Sequence, residues 1–226
     1  MAATYIAFDI ETIRGHEQLA DASEQTQRAW EAHSKKRSPD ADPNQTYIDT
    51  AGLFPEFSKV CCISAMTKGQ QPKSVFLDSR IPEREREKAM LMEFAEWLDG
   101  FPGFILVGHN IKKFDIPFIN VRCVCNGLKL INGFKMHGVK PWESRHVDTF
   151  EVWTGGVYGS SQSASIESIC NALGIESPKA EFSGAQVSDV YYSHAADAMA
   201  KIVKYCERDV LATALVFSNM SQYGMA

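Results

Sequence analysis

The stretch TYIAFDIET at residues 4–12 places two acidic residues at the end of an apolar run. Its β-branched and aromatic residues, with no breaker among them, predict a buried strand over Thr4–Ile10. Because side chains alternate across a strand, Asp9 and Glu11 project from the same face. Two such carboxylates repel each other and lose hydration unless a cation lies between them or the strand runs out into solvent. The stretch alone leaves both interpretations open.

Two more acidic residues lie beside predicted apolar elements. Asp115 follows a predicted strand over 104–107 and precedes a helix that we expect to start at Pro117. At that position it would equally suit the first turn of a helix, where the helix dipole favours an acid. Asp209 lies in the last predicted helix, one turn after Tyr205 and among apolar neighbours, so it needs a partner or a metal ion.

Convergence of these four acids would create a site for divalent metal ions. Carboxylate oxygens without His or Cys suit Mg²⁺ or Mn²⁺. Two such ions about 3.5–4 Å apart stabilise both the attacking and the leaving oxygens of a phosphodiester. The order of residues along the chain does not show that the acids meet, so a site for two Mg²⁺ or Mn²⁺ ions is an expectation.

Composition narrows the class of protein. The chain has 226 residues, of which 45% are hydrophobic and 23% charged, so a disordered or fibrous chain is excluded. We expect one domain over residues 1–226, without a membrane segment or signal peptide, in the cytoplasm. The formal net charge of −5 lowers the expectation of a high-affinity duplex binder. Six cysteines without a Cys-x-x-Cys pattern are expected to be buried thiols.

Strand and helix patterns interleave, which predicts an α/β or α+β class. Further strands are expected at 59–66, 73–77, 104–107 and 146–150. Helices are expected at 83–99, from Pro117 onward, at 165–173 and at about 196–220. Residues 14–57 show neither strand nor helix periodicity and contain Pro and Gly, which predicts a long loop or insertion.

Three segments resemble, in the right order, the motifs of the DEDD 3′–5′ exonucleases: FDIET at residues 8–12, HNIKKFD at 109–115 and YCERD at 205–209. In the His form of that family a His stands five residues before the last Asp, where this chain has Lys204. Tyr205 therefore makes the chain similar to the Tyr form, DEDDy. Segments 55–64, 145–149 and 184–187 resemble predicted exonucleases related to the proofreading domain of family B DNA polymerases.

The resemblance implies an RNase H-like fold: a five-stranded mixed sheet flanked by helices, with the carboxylates at one edge. It implies a two-metal hydrolysis that removes nucleoside 5′-monophosphates from the 3′ end of a single strand, with DNA favoured over RNA. A separate polymerase or repair protein is an expected partner. By position, Asp9, Glu11, Asp115 and Asp209 would bind the metal ions, and Tyr205 would orient the attacking water.

Residues beside the motifs are candidates for binding substrate: Thr12, His109, Asn110 and Phe114. Phe114 would stack on a terminal base or simply pack in the core. His109 would contact a phosphate or make a structural hydrogen bond, and Asp148 would lie near the cleft or merely end a strand. Three other functions stay open at this point: an exoribonuclease, an endonuclease on the same fold, and a non-catalytic nucleic-acid-binding or polymerase-accessory module.

Overall fold

Five strands form one mixed sheet in the computed structural model, which describes residues 4–136, 138–140, 143–156, 164–176 and 182–225. The strands are β1 (Tyr5–Arg14), β2 (Ser58–Thr67), β3 (Lys73–Phe76), β4 (Ile105–Gly108) and β5 (Val147–Asp148). Their order across the sheet is β3-β2-β1-β4-β5. The β1–β2 and β2–β3 pairs are antiparallel, whereas β4 lies parallel to both β1 and β5. The sheet is therefore mixed, as expected.

Helices flank this sheet. They are α1 (Glu24–Arg37), α2 (Pro43–Thr50), α3 (Glu83–Asp99), α4 (Asp115–Cys125), α5 (Thr149–Trp153), α6 (Ile166–Ala172), α7 (Val187–Tyr192) and α8 (Ala198–Gln222). Among the helices described here, none combines the length and the apolar content that crossing a membrane requires.

Strand β1 separates an apolar face from an acidic one. Ile6, Phe8 and Ile10 are buried in the main hydrophobic core, and the ring of Phe8 lies 6.2 Å from that of Phe94 in α3. The alternate side chains point to the opposite face, where α8 crosses the strand. Burial of the apolar face thus fixes the direction in which Asp9 and Glu11 project.

For residues 14–57 the sequence predicted a long loop or an insertion; the loop is wrong, because the segment is largely helical. Helix α1 has a Ser23 cap, and α2 begins with Pro43 at its first position after the cap Asp42. Pro is well suited to that position, so a dipeptide that reads as a turn here starts a helix. Helix α1 buries only Trp30 and Ser34, so it shows no apolar periodicity in the sequence.

These two helices enclose a small hydrophobic cluster of their own, formed by Leu19, Trp30, Tyr47 and Ala51. The indole nitrogen of Trp30 donates to the Pro43 carbonyl at 2.8 Å, which joins α1 to α2. The hydroxyl of Thr12 in β1 donates to the Gly52 carbonyl at 2.7 Å. The inserted segment is therefore bonded directly to the strand that carries the acidic pair.

The ends of several other helices and strands are set by residues that cap the neighbouring helix. Helix α3 occupies Glu83–Asp99 as the pattern predicts, and β5 contains only two of the five residues expected at 146–150. The strand stops because Asp148 accepts hydrogen bonds from the backbone N–H groups of Phe150 and Glu151, and so caps α5. Helix α4 begins at Asp115, two residues before Pro117.

A buried ion pair joins α3 to α4 behind the sheet. Arg122 donates to both carboxylate oxygens of Glu87, at 2.8 and 2.6 Å. The same carboxylate accepts from the backbone N–H of Val60 and the side-chain amide of Asn126, each at 2.9 Å. Glu87 is only 5% exposed. Its charge is therefore compensated entirely by protein groups.

We expect Glu87→Ala to lower the free energy of unfolding by about 3–5 kcal/mol, because it leaves the Arg122 charge without its buried partner. The matched control is Glu83→Ala, which breaks an exposed pair with Lys59 and should cost less than about 1 kcal/mol. Urea denaturation of both variants measures the difference. Equal, small losses would contradict the assigned contribution of the buried pair.

Candidate active site

Asp9 and Glu11 meet the thiol of Cys206 beneath α8. One ligand atom from each of the three residues lies within 4.8 Å of the other two. Glu11 is buried, and the carboxylate of Asp9 is enclosed although the residue keeps some exposure. The strand pattern therefore places both acids on one face, as the sequence predicts.

Asp115 reaches this pair from the first turn of α4. Its Oδ1 accepts a hydrogen bond from the backbone N–H of Ile10 at 3.2 Å. The ladder between β1 and β4 ends at the Ala7–Val107 pair, so this part of β1 has no strand beside it on the β4 side. The buried carboxylate of Asp115 takes the place of the missing strand and is fixed next to Asp9.

Asp209 and Tyr205 approach from α8, one helical turn apart. The charge of Asp209 raises the pKa of both Asp9 and Glu11. A hydrogen bond from the Tyr205 hydroxyl favours the ionised form of Asp209. Asp115 also raises the pKa of Asp9 and Glu11. Asp115 and Asp209, which come from two distant segments, are therefore close enough to Asp9 and Glu11 to oppose their ionisation, and Tyr205 lies beside Asp209.

All four carboxylates resist ionisation. Burial, followed by the charges of neighbouring acids, raises the pKa of Asp9 and Glu11 well above the ordinary range. Burial also raises the pKa of Asp115 to about 7 and that of Asp209 to about 6. In Asp209 the rise persists although Tyr205 and the charge of Arg208 oppose it. Full ionisation of all four acids therefore requires a compensating positive charge.

Tyr205 is held by the segment that precedes α7. The Phe182 ring packs on the Tyr205 ring with centroids 5.0 Å apart, and a Cβ at Gly184 would lie 3.8 Å from the hydroxyl. Burial, then the charges of Asp209 and Glu11, raise the pKa of Tyr205 far above its ordinary value. The side chain is therefore a neutral phenol at physiological pH and can donate a hydrogen bond.

Cys206 is a member of the site that the sequence interpretation missed. Its thiol donates to the backbone carbonyl and to Oδ2 of Asp9, at 3.5 and 3.6 Å. Burial raises its pKa well above the ordinary value, so the sulfur keeps its proton. The signal was present in the sequence, since Cys206 and Asp209 are three residues apart and share a helix face. The expectation that all six cysteines are buried thiols holds for five of them, whereas Cys125 is exposed.

Asp148 proves to be more than an acid at the end of a strand. Its carboxylate accepts hydrogen bonds from four backbone N–H groups, those of Asn110, Lys112, Phe150 and Glu151, at 2.8–3.4 Å. The first two lie in the loop that leads to Asp115. This buried carboxylate therefore fixes the loop and the start of α5 at once.

The same loop depends on two unusual backbone positions. Asn110 has a φ of +64°, in the left-handed region that Asn tolerates better than most residues. A Cβ at Gly108 would lie 1.9 Å from Cγ2 of Ile111 and 3.0 Å from the Phe8 carbonyl oxygen. A side chain larger than hydrogen would therefore displace the loop from β1.

The four candidate substrate-binding residues have different surroundings. Thr12 already donates its hydroxyl to Gly52. The Nε2 of His109 lies 2.8 Å from the Ala164 carbonyl and its Nδ1 lies 3.1 Å from the Thr149 hydroxyl, which is the structural arrangement considered above. Asn110 holds its loop through the backbone. Phe114 is half-buried, with its ring 5.2 Å from that of Phe118.

Comparison with known proteins supports the fold. A model of the RNase H superfamily matches residues 47–221, which excludes β1 and its two acids. No curated protein matches the chain. The structure is similar to that of the family B DNA polymerase from the hyperthermophilic archaeon Pyrobaculum calidifontis, with a TM-score of 0.63 and 14% identity.

That similarity covers 100% of this chain and 25% of the polymerase chain, so this chain spans about a quarter of the polymerase. At this identity the likeness describes the fold, a five-stranded mixed sheet flanked by helices. Since the superfamily model matches well over half of the residues, the chain belongs to the RNase H superfamily.

Proposed function

We propose that this protein is a metal-dependent 3′–5′ exonuclease that acts on single-stranded nucleic acid, with DNA favoured, and releases nucleoside 5′-monophosphates. The observation that carries the proposal is the pair of Asp9 and Glu11 on β1, whose ionisation is opposed by the nearby carboxylates of Asp115 in α4 and Asp209 in α8, with Tyr205 beside Asp209. Membership of the RNase H superfamily supports nuclease chemistry at such a cluster. The resemblance to the Tyr form of the DEDD exonucleases supports removal of nucleotides from the 3′ end.

The donor set fits divalent metal ions. Asp9, Glu11, Asp115 and Asp209 offer only hard oxygen ligands, and a cation would offset both the burial that chiefly raises their pKa values and the repulsion by neighbouring acids that adds to it. When bound there, two Mg²⁺ or Mn²⁺ ions would supply charge stabilisation for the attacking and leaving oxygens of the phosphodiester. The protonated thiol of Cys206 suits a donor to Asp9 better than a ligand.

Within the proposal, Tyr205 orients the attacking water by its hydroxyl. Its raised pKa makes it a poor base at neutral pH, so it contributes position rather than proton abstraction. Asp148 is a positioning residue in the proposal, because its carboxylate holds the backbone of the loop that precedes Asp115. Phe114 packs against the hydrophobic core and is half-buried, and within the proposal its exposed part would stack on a base.

The preference for DNA and the expectation of a separate polymerase or repair protein as partner rest on the resemblance to polymerase-related exonucleases. The fold shared with a family B DNA polymerase is compatible with both.

We expect wild-type protein with Mg²⁺ or Mn²⁺ to shorten 5′-labelled single-stranded DNA from its 3′ end, as a ladder on a denaturing gel. Asp9→Asn and Asp209→Asn should abolish the ladder, because each removes a metal ligand. Tyr205→Phe should lower kcat on the order of 10²-fold with little change in KM. Glu207→Gln, which changes an acid on the same helix that bonds Ser74, is the control and should stay active.

Other outcomes would replace the proposal with a named alternative. Cleavage of RNA alone would identify an exoribonuclease, and cutting of circular single-stranded DNA would identify an endonuclease. Intact substrate with either metal, together with strand binding that survives EDTA and Asp9→Asn, would identify a binding module.

Repulsion in the site also predicts a gain in stability when a carboxylate is neutralised. Without metal, Asp9→Asn should raise the free energy of unfolding by about 1–2 kcal/mol, which corresponds to a rise in melting temperature of roughly 2–8 °C at pH 8. The gain should shrink toward pH 5. The pKa values of the wild-type acids are raised on folding, so the folded state binds more protons and their destabilising effect is lost as pH falls through those values.

Thermal denaturation in EDTA at both pH values measures this effect. Asp40→Asn, at an exposed acid in the inserted segment, is the control and should leave the melting temperature unchanged. Addition of Mg²⁺ at pH 8 should stabilise wild-type protein more than Asp9→Asn. A loss of stability in Asp9→Asn at pH 8 would contradict the repulsion argument.

A further inference from the structure

A cavity of about 270 Å³ opens beside Tyr205, on the surface of α8. Its walls include Phe182, Asp197, Lys201, Lys204, Tyr205 and Arg208. The packed rings of Phe182 and Tyr205 thus form one wall of the cavity, and charged side chains of α8 form another. Neither the four carboxylates nor the residues proposed to orient water use this space, apart from Tyr205 itself.

The cavity is positive in a protein that is negative overall. Lys201, Lys204 and Arg208 contribute three positive charges and Asp197 contributes one negative charge, whereas the whole chain has a formal net charge of −5. Lys201 pairs with Asp197 at 3.0 Å, in a bridge whose side chains are 43% and 61% exposed. Such a pair is weak in water and can exchange for a phosphate.

Helical geometry places these cations on one side of Tyr205. At about 100° per residue, they lie within roughly 100° of Tyr205 in one direction, whereas Asp209 and Cys206 lie in the other. Tyr205 therefore marks a boundary along α8 between the acidic cluster and the basic wall. A strand in contact with the basic wall would pass the tyrosine before it reaches the carboxylates.

The spacing of the cations fits a strand better than a single nucleotide. Residues 201 and 208 are separated by about 10 Å along the helix axis, at 1.5 Å per residue. Nucleotides in a stacked strand repeat about every 3.4 Å, so this distance covers several phosphates. The half-buried Phe182 ring in the same cavity offers a surface on which a base of any identity can stack.

A basic wall also answers an electrostatic problem of the carboxylate cluster. The carboxylates themselves offer no attraction to phosphates, and positive charge next to the site raises the local concentration of a polyanion. The salt-dependent contact of Lys and Arg with phosphates supplies this attraction without reading the base sequence.

We propose that this cavity is a subsite for the sugar–phosphate backbone of the single strand on the 5′ side of the bond to be cleaved. Lys201, Lys204 and Arg208 contact successive phosphates, and Phe182 stacks on a base. The assignment of the strand as substrate rests on the proposed exonuclease function, whereas the binding of a strand in this cavity is tested independently of hydrolysis.

The first experiment measures binding alone. Fluorescence anisotropy of a 5′-fluorescein-labelled 12-nucleotide oligo-dT is followed in EDTA at several salt concentrations. The double variant Lys201→Gln/Lys204→Gln should bind several-fold more weakly than wild type. The slope of log K against log salt should fall by about 1.4, or about 0.7 for each lost phosphate contact. Gln preserves helix propensity, so the variant should fold.

Lys88→Gln/Lys129→Gln is the matched control, since it removes the same charge from two exposed lysines outside the cavity. The control should keep the wild-type affinity and slope. Equal losses in the two double variants would mean that only net charge matters and would overturn the subsite. Unchanged binding in Lys201→Gln/Lys204→Gln would overturn it as well.

The second experiment separates the subsite from the chemistry. Thymidine 5′-(4-nitrophenyl) phosphate carries a hydrolysable phosphodiester but no upstream strand. The cavity variant should hydrolyse it as wild type does, while KM for the 12-nucleotide strand rises about tenfold or more. Parallel losses on both substrates would overturn the subsite. Failure of wild type to hydrolyse either substrate would overturn the exonuclease function instead, and the binding experiment would still decide the subsite.

Discussion

The cost of burying several carboxylates near one another is the constraint on which the site depends. Asp9 and Glu11 project from the face of β1 that lies opposite its apolar core residues, so packing of Phe8 and its neighbours holds them in place. Helices α4 and α8 bring Asp115 and Asp209 close enough to raise the pKa of this pair, and burial raises the pKa of both residues as well. The core therefore supplies the free energy that keeps like charges together, and a cation is the natural means of relieving the cost.

The position of Asp115 depends on residues that do not enter the cluster. Asp148 binds the backbone of the preceding loop, and Gly108 lets Ile111 lie against the strand edge. The N–H of Ile10 then bonds the Asp115 carboxylate at a point where β4 has already ended. A chain of backbone contacts thus converts the ends of two short parallel strands into a fixed carboxylate position. Side chains fixed in this way keep their geometry at little entropic cost when substrate binds.

Local chemistry determined how much of this arrangement could be predicted. Helix α3 places the buried Leu91, Phe94 and Leu98 at helical spacing between Pro82 and Gly100, so its sequence predicts its range. The alternation of β1 likewise predicts that Asp9 and Glu11 share a face. Helix α1 buries only Trp30 and Ser34, so its sequence contains too few apolar residues to indicate a helix. Cys206 and Asp148 were undervalued for a different reason: their partners, Asp9 and the backbone of Asn110, are distant in sequence.

Helix α8 links the two halves of the proposed activity. It carries Asp209 and Cys206 toward the sheet and places Tyr205 at the boundary with the basic cavity. Because Asp209 and the three cations project from one helix, the distance between that carboxylate and the proposed phosphate contacts is set by helical rise rather than by a loop. A strand bound along the basic wall would therefore meet the cluster in a fixed register. The acidic charge of the whole chain is compatible with this arrangement, since attraction is needed only where the strand runs.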